Sequence, residues 1–174
     1  YDPVVVGLSN GALILYEDNR TGRYRIYARS NSAVGPTFGG EVALNGADPT
    51  APDAVNVAAL RNGTDVFAVW ETSTEIYFQR RFAGTWQAPR LAYRNTLGLS
   101  MERHPTIARR GDTVFVVFEE IENDVKNLYF IRGFQNGETW DSARKLTEST
   151  GTPEDARFVN AKNTLHAVFS DSRT

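Results

Sequence analysis

The sequence predicts an all-β chain built from repeated four-stranded antiparallel blades, the arrangement of a β-propeller. Three observations carry this prediction. A five-residue apolar segment recurs at Ala12–Tyr16, Val66–Trp70, Val114–Phe118 and Leu165–Phe169. Downstream of it come Ile26-Tyr27, Ile76-Tyr77 and Leu128-Tyr129, then Thr37-Phe38, Thr85-Trp86 and Thr139-Trp140, with Leu44, Leu91 and Leu146 following. No stretch carries a sustained helical period with caps, and a repeat of about 50 residues made of strands alone is a propeller signature. The unit repeats about three and a half times: after the fourth apolar segment, Asp171-Ser172-Arg173-Thr174 echoes Asp18-Asn19-Arg20-Thr21.

Each repeat divides into four strands. Strand A follows a proline: Val4-Val5-Val6 after Pro3, Val55 to Leu60 after Pro52, Thr106-Ile107-Ala108 after Pro105. Turns at Asn10-Gly11, Asn62-Gly63, Gly111-Asp112 and Lys162-Asn163 close the first hairpin of each unit, because Gly and Asn accept positive φ cheaply. Strand B is the apolar segment, hydrophobic on both faces as expected for a strand sandwiched between sheets. Strand C runs Arg25 to Ser30, Glu75 to Arg80 and Asn127 to Arg132. Strand D begins at the Thr-aromatic pair and runs to the leucine. Residues 1–44, 51–91 and 104–146 read as three blades and 153–174 as half of a fourth. The polar linkers 45–51, 92–104 and 147–153 read as loops.

The chain has 174 residues, a net charge of −2 and no cysteine. Interspersed charges of both signs give no reason to expect a nucleic-acid partner. No apolar run is long enough to span a bilayer. Disulfides and thiolate metal sites are excluded. The chain begins at Tyr1, which reads as a processed or partial polypeptide.

Gly133-Phe134-Gln135-Asn136-Gly137-Glu138-Thr139-Trp140 resembles a degenerate Asp-box, the Ser-x-Asp-x-Gly-x-Thr-Trp turn of bacterial neuraminidase (BNR) repeats. Gly137, Thr139 and Trp140 match, whereas Gly133 and Gln135 replace the serine and the aspartate. Ala83-Gly84-Thr85-Trp86 is a shortened version, and Gly35-Pro36-Thr37-Phe38 a weaker one. The whole chain thus resembles a stretch of a sialidase-like propeller. That family implies a structural Asp-box on the face opposite the active site. Its catalysis implies three arginines, a tyrosine–glutamate pair and an aspartate. The Arg-Ile-Pro motif that usually holds the first arginine is absent: Arg25-Ile26-Tyr27 lies in strand C, where Ile-Tyr recurs. Tyr27, Tyr77 and Tyr129 recur with the repeat, which argues against a nucleophile, and Tyr93 has no glutamate assignable from sequence. Catalytic residues therefore stay unassigned.

Any site is expected where the repeats differ, on the face shared by the B–C turns and the D–A linkers. The candidate ligand-binding residues there are Glu71, Arg94, Glu102, Arg103, His104, Glu119 and Asp155. Carboxylates beside arginines suit sugar hydroxyls or an acidic sugar. They also suit Ca²⁺, although no calcium-loop spacing is present. No cofactor is expected, and two isolated histidines do not make a zinc site. The bland reading stands beside each candidate. Asp18 and Asp171 head turns that an Asp caps, and Glu119 to Asp124 fits a solvated loop. His166 stands where Phe67 and Phe115 stand, as a packed or edge-strand histidine, and the tryptophans mark the core.

Three and a half blades leave an open arc. The expected partners are further blades of a longer polypeptide, favoured here, or a second copy, together with a glycan or protein ligand. The leading functional expectation is a non-catalytic, sialidase-like segment of a secreted or cell-surface protein acting in carbohydrate or protein recognition. A glycoside hydrolase completed by other blades is the first alternative, and an architectural repeat of an adhesin or filament the second.

Overall fold

The computed structural model describes residues 3–32, 37–46, 50–95, 104–122, 125–148, 151–161 and 164–172. These form sixteen strands and no helix. The first sheet contains β1 (Val4–Leu8), β2 (Gly11–Asp18), β3 (Arg25–Ser32) and β4 (Val42–Ala43) in that order. The second contains β5 (Val55–Asn62), β6 (Asp65–Glu71), β7 (Glu75–Phe82) and β8 (Thr85–Trp86), with β9 (Arg90–Arg94) also on β7. The third repeats this with β10 (Thr106–Arg110), β11 (Thr113–Glu122), β12 (Val125–Phe134), β13 (Thr139–Trp140) and β14 (Arg144–Lys145). A two-stranded sheet of β15 (Glu154–Ala161) and β16 (Thr164–Ser170) follows. All pairings with a defined register are antiparallel, and all but β12 with β14 join chain neighbours, as short hairpins require.

The chain forms two compact units, Tyr1–Ser73 with Tyr77–Arg90, and Thr74–Ile76 with Leu91–Thr174. In the first, β5 packs against β1 and β2; in the second, β15 packs against β10 and β11. Within each unit the first strands of the two sheets thus lie side by side. The first core joins Leu13, Leu15, Ile26, Leu44, Val66 and Trp70; the second joins Val117, Leu128 and Ala156 to Phe130, Phe158 and Phe169.

Strand B is most enclosed in β6, where Val66, Phe67, Ala68, Val69 and Trp70 are all buried. Its counterpart β16 alternates instead, with Val168 exposed at 54%. His166 is accordingly exposed on this outer strand rather than packed. Strand D departs from expectation by splitting in two. In the second sheet, residues 87–89 interrupt it at Pro89, which has no N–H for the ladder. In the third, Asp141 breaks it: its Oδ1 accepts the Arg132 N–H at 2.6 Å, and its Oδ2 accepts Arg132 Nε at 2.8 Å. The carboxylate replaces a backbone carbonyl as the acceptor. The recurring leucine is not uniformly core, since Leu44 is buried while Leu91 and Leu146 are exposed. Strand A follows its proline directly at Pro3 and Pro105, but Pro52 lies three residues before β5.

The turn after β12 places Gln135 and Asn136 at φ 52° and 61° and Gly137 at 87°. Gly137 N–H and Glu138 N–H both return to Phe134 O. Trp140 then folds over Gly133, where a Cβ would lie 2.9 Å from the indole ring. Glycine stands at this position because the indole occupies its side-chain space.

Candidate functional site

Register places three polar residues at one equivalent point. Ala58, Thr106 and Arg157 pair with Val69, Val117 and Val168, matched positions of strand B. Two residues upstream of each lie Asn56, His104 and Asp155, with φ of 54°, 34° and 56°. In β5 and β15 this is a bulge, where the register shifts between Val55 and Ala58 and between Glu154 and Arg157. A left-handed backbone at a non-glycine residue is disfavoured by about 1–2 kcal/mol and persists only where its surroundings hold it.

The holding groups are the glutamates that end strand B. In the first unit, Glu17 Oε1 accepts the Asn56 N–H at 2.6 Å, and Asn56 Nδ2 donates to Glu71 Oε1 at 2.8 Å. In the second, Glu119 takes both roles: its Oε1 accepts the Asp155 N–H at 3.2 Å, and its Oε2 lies 3.4 Å from His104 Nδ1. Glu119 is buried, and the Lys126 ammonium reaches it at 3.2 Å while also contacting Glu154 at 3.0 Å. Burial pulls the Lys126 pKa down, but hydrogen bonds to Glu154 and Glu119 outweigh it and hold the ammonium above its ordinary value. His104, Glu119 and Asp155 therefore form one arrangement: a buried, fully engaged carboxylate fixes two strained residues whose side chains are exposed.

The other candidates lie elsewhere. Glu71 belongs to the first unit and is buried against Asn56. Arg94 is exposed and pairs with Glu75 at 2.6 Å. Glu102 and Arg103 lie outside the described residues. Asp18 Oδ1 accepts the Arg20 N–H at 2.7 Å, so it caps its own turn, and hydrogen bonds from Arg20 hold its carboxyl below the usual range. Among the described residues, no three His, Asp or Glu side chains are placed to hold a metal ion.

Sequence reasoning missed two participants and one contact. Asn56 and Lys126 show only in the register, because Asn56 aligns with His104 and Asp155 when strand B sets the frame. Tyr93 has a glutamate after all: its Oη donates to Glu120 Oε2 at 2.7 Å, and Asn95 Nδ2 donates to Glu120 Oε1. Glu120 is buried, and the Tyr93 ring packs on Phe118 with centroids 4.7 Å apart. The two residues are 27 positions apart, and no local pattern announces the contact.

No family model matches the chain, and no curated protein sequence matches it. Solved structures do. A subtype N10 neuraminidase-like protein from a little yellow-shouldered bat isolate from Guatemala superposes with a TM-score of 0.62 at 10% identity, over 97% of this chain and 51% of its own. A thermostable family-43 glycoside hydrolase gives 0.61 at 11%, over 98% of this chain and 65% of its own. A bifunctional family-43 and CE protein of Bacteroides eggerthii gives 0.61 at 8%, over 97% of this chain and 22% of its own. This chain thus spans about half, just under two thirds and about a fifth of their lengths. The likeness shows the fold, a propeller arrangement shared with glycosidase-like proteins.

Proposed function

We propose that the chain is a carbohydrate-recognising propeller segment whose ligand contacts in the second unit centre on His104 and Asp155. One observation carries this reading: both residues are exposed and strained, and both are ordered by the buried carboxylate of Glu119. Strain of this kind collects at ligand clamps. An aspartate offers two acceptors to neighbouring sugar hydroxyls and an imidazole adds a donor or acceptor. Glu119 and Glu120 are spent on fixed donors, which suits binding better than acid–base turnover. Glycan-array binding tests the reading. The expected result is selective binding that His104→Ala and Asp155→Ala each weaken at least about tenfold, or about 1.4 kcal/mol. Absence of binding, or unchanged binding in both variants, overturns it.

One observation favours the rival reading as a glycoside hydrolase, sialidase-like or otherwise: the Tyr93–Glu120 pair resembles a tyrosine nucleophile with its glutamate. Its buried setting, with Asn95 on the second oxygen, reads instead as a structural tie. Turnover of fluorogenic sialosides and aryl glycosides decides between the two. Activity abolished by Tyr93→Phe establishes the hydrolase, whereas a purely structural tie predicts no turnover and a stability loss of about 1 kcal/mol.

The same proposal includes partners and location. Among the described residues β16 pairs only with β15, and Val159 and Val168 are exposed at 47% and 54%. Additional strands beside β16, from further blades of a longer polypeptide or from a second copy, would cover such an edge. A glycan-recognising propeller of this kind suits the outside of a cell or its surface. The BNR-type reading of the Trp86 and Trp140 turns belongs to this proposal as well.

A further inference from the structure

We infer that the first unit holds a small-ligand pocket for one neutral sugar ring, beside the Trp70–Tyr77 pair. The cavity has a volume of about 220 Å³, and Asn45, Pro52, Trp70, Thr72 and Tyr77 contribute to its lining. Among the described residues, none of the side chains that line it is charged.

Comparison across the repeat shows why it is open here. Each of the first three sheets stacks a strand-B aromatic on a strand-C tyrosine: Tyr16 on Tyr27, Trp70 on Tyr77, Phe118 on Tyr129. In the first, the Arg20 guanidinium lies 4.9 Å from the Tyr27 centroid. In the third, the Tyr93 ring lies 4.7 Å from Phe118. Beside the second pair lies the cavity.

The second pair is also chemically distinct. Trp70 is the one strand-B aromatic of the three with an N–H. That Nε1 is buried and has no hydrogen-bond partner among the described residues, and Trp70 as a whole is 1% exposed. Sealed from solvent, this N–H lies behind the wall of the cavity and senses its occupant without touching it. Asn45 supplies the polar contact of the lining, because its Oδ1 already accepts the Ile26 N–H at 3.1 Å and leaves the amide NH₂ for a ligand. Aromatic and proline walls with the Asn45 amide suit a ring that has an apolar C–H face and uncharged oxygen acceptors. The volume falls below the roughly 300–1,000 Å³ of drug-sized sites, which limits the occupant to a single ring. The inference rests on the carbohydrate reading only in choosing a sugar over another neutral ring with acceptors.

The test titrates the ¹⁵N-labelled chain with methyl β-xylopyranoside, methyl α-galactopyranoside and N-acetylglucosamine, following the indole N–H resonances of Trp70, Trp86 and Trp140. The expected result is a saturable shift of the Trp70 resonance alone with at least one sugar. Ala51→Phe, which fills the pocket from its linker side, should weaken that response at least about tenfold. Ala51→Leu is a smaller plug should the first variant not fold. A Trp70 resonance unmoved by all three sugars overturns the inference, as does an equal response in the plugged variant. His104→Ala and Asp155→Ala separate the two readings. Array binding lost in those variants with the Trp70 response intact keeps both sites. A silent Trp70 beside intact array binding removes this pocket alone.

Discussion

Replacing Glu119 tests whether one buried carboxylate organises the second unit. Its oxygens engage the Lys126 ammonium at 3.2 Å and the Asp155 N–H at 3.2 Å, with His104 Nδ1 at 3.4 Å. Glu119→Ala removes the acceptor of the Asp155 N–H and one of the two carboxylates that hold Lys126, whose side chain is 14% exposed. Breaking a buried pair from one side costs about 3–5 kcal/mol. Glu119→Gln keeps an acceptor for Asp155 but removes the charge, so about 1–2 kcal/mol is expected. The double change Glu119→Met with Lys126→Met should cost less than the sum of its single changes by at least about 1 kcal/mol, because neither charge is then stranded. Denaturant unfolding measures all of these, with the slope checked for constancy. The pH dependence adds a sign. The folded Lys126 pKa lies above the ordinary value of 10.5. The stabilisation is therefore complete below the unfolded value and is lost as pH rises through the folded one. The Glu119→Ala penalty should accordingly shrink above about pH 10.5. A penalty under about 1 kcal/mol at neutral pH, or strict additivity in the double variant, refutes the reasoning.

Two further predictions concern the turns. Gly133→Ala sets a methyl 2.9 Å from the Trp140 ring, and the overpacking should cost about 1–3 kcal/mol, read by denaturation followed through tryptophan fluorescence. Ala83 and Gly84 join β7 to β8 with φ of 47° and 85°, the two positive values of a type I′ turn. Ala83→Asn should therefore raise stability by about 0.5–1 kcal/mol, and a drop in the unfolding midpoint would sink that assignment.

The repeat, the all-strand class and the position of each strand-B segment were legible because they rest on short-range chemistry. Val66–Trp70 is apolar on both faces, and Asn62-Gly63 and Gly111-Asp112 carry the residues that tight turns demand. Asp18 was legible for the same reason, since its side chain reaches only two residues along the chain. Three-dimensional register decided the rest. Asn56, His104 and Asp155 are unlike as residues and stand at different distances from their prolines; only pairing to strand B makes them equivalent. Tyr93 meets Glu120, and Glu119 meets Asp155, across 27 and 36 positions, because packing of successive strands brings them together. Strand D was expected to be continuous, yet it breaks at Pro89 and at Asp141, where a side chain outcompetes the backbone for the Arg132 N–H. The sequence by itself determined which segments become strands, because apolar periodicity and turn residues act within a few positions of each other. Tertiary structure alone decided which carboxylates are engaged and which polar residues stand exposed, because that depends on the neighbour each strand meets after the chain has folded back.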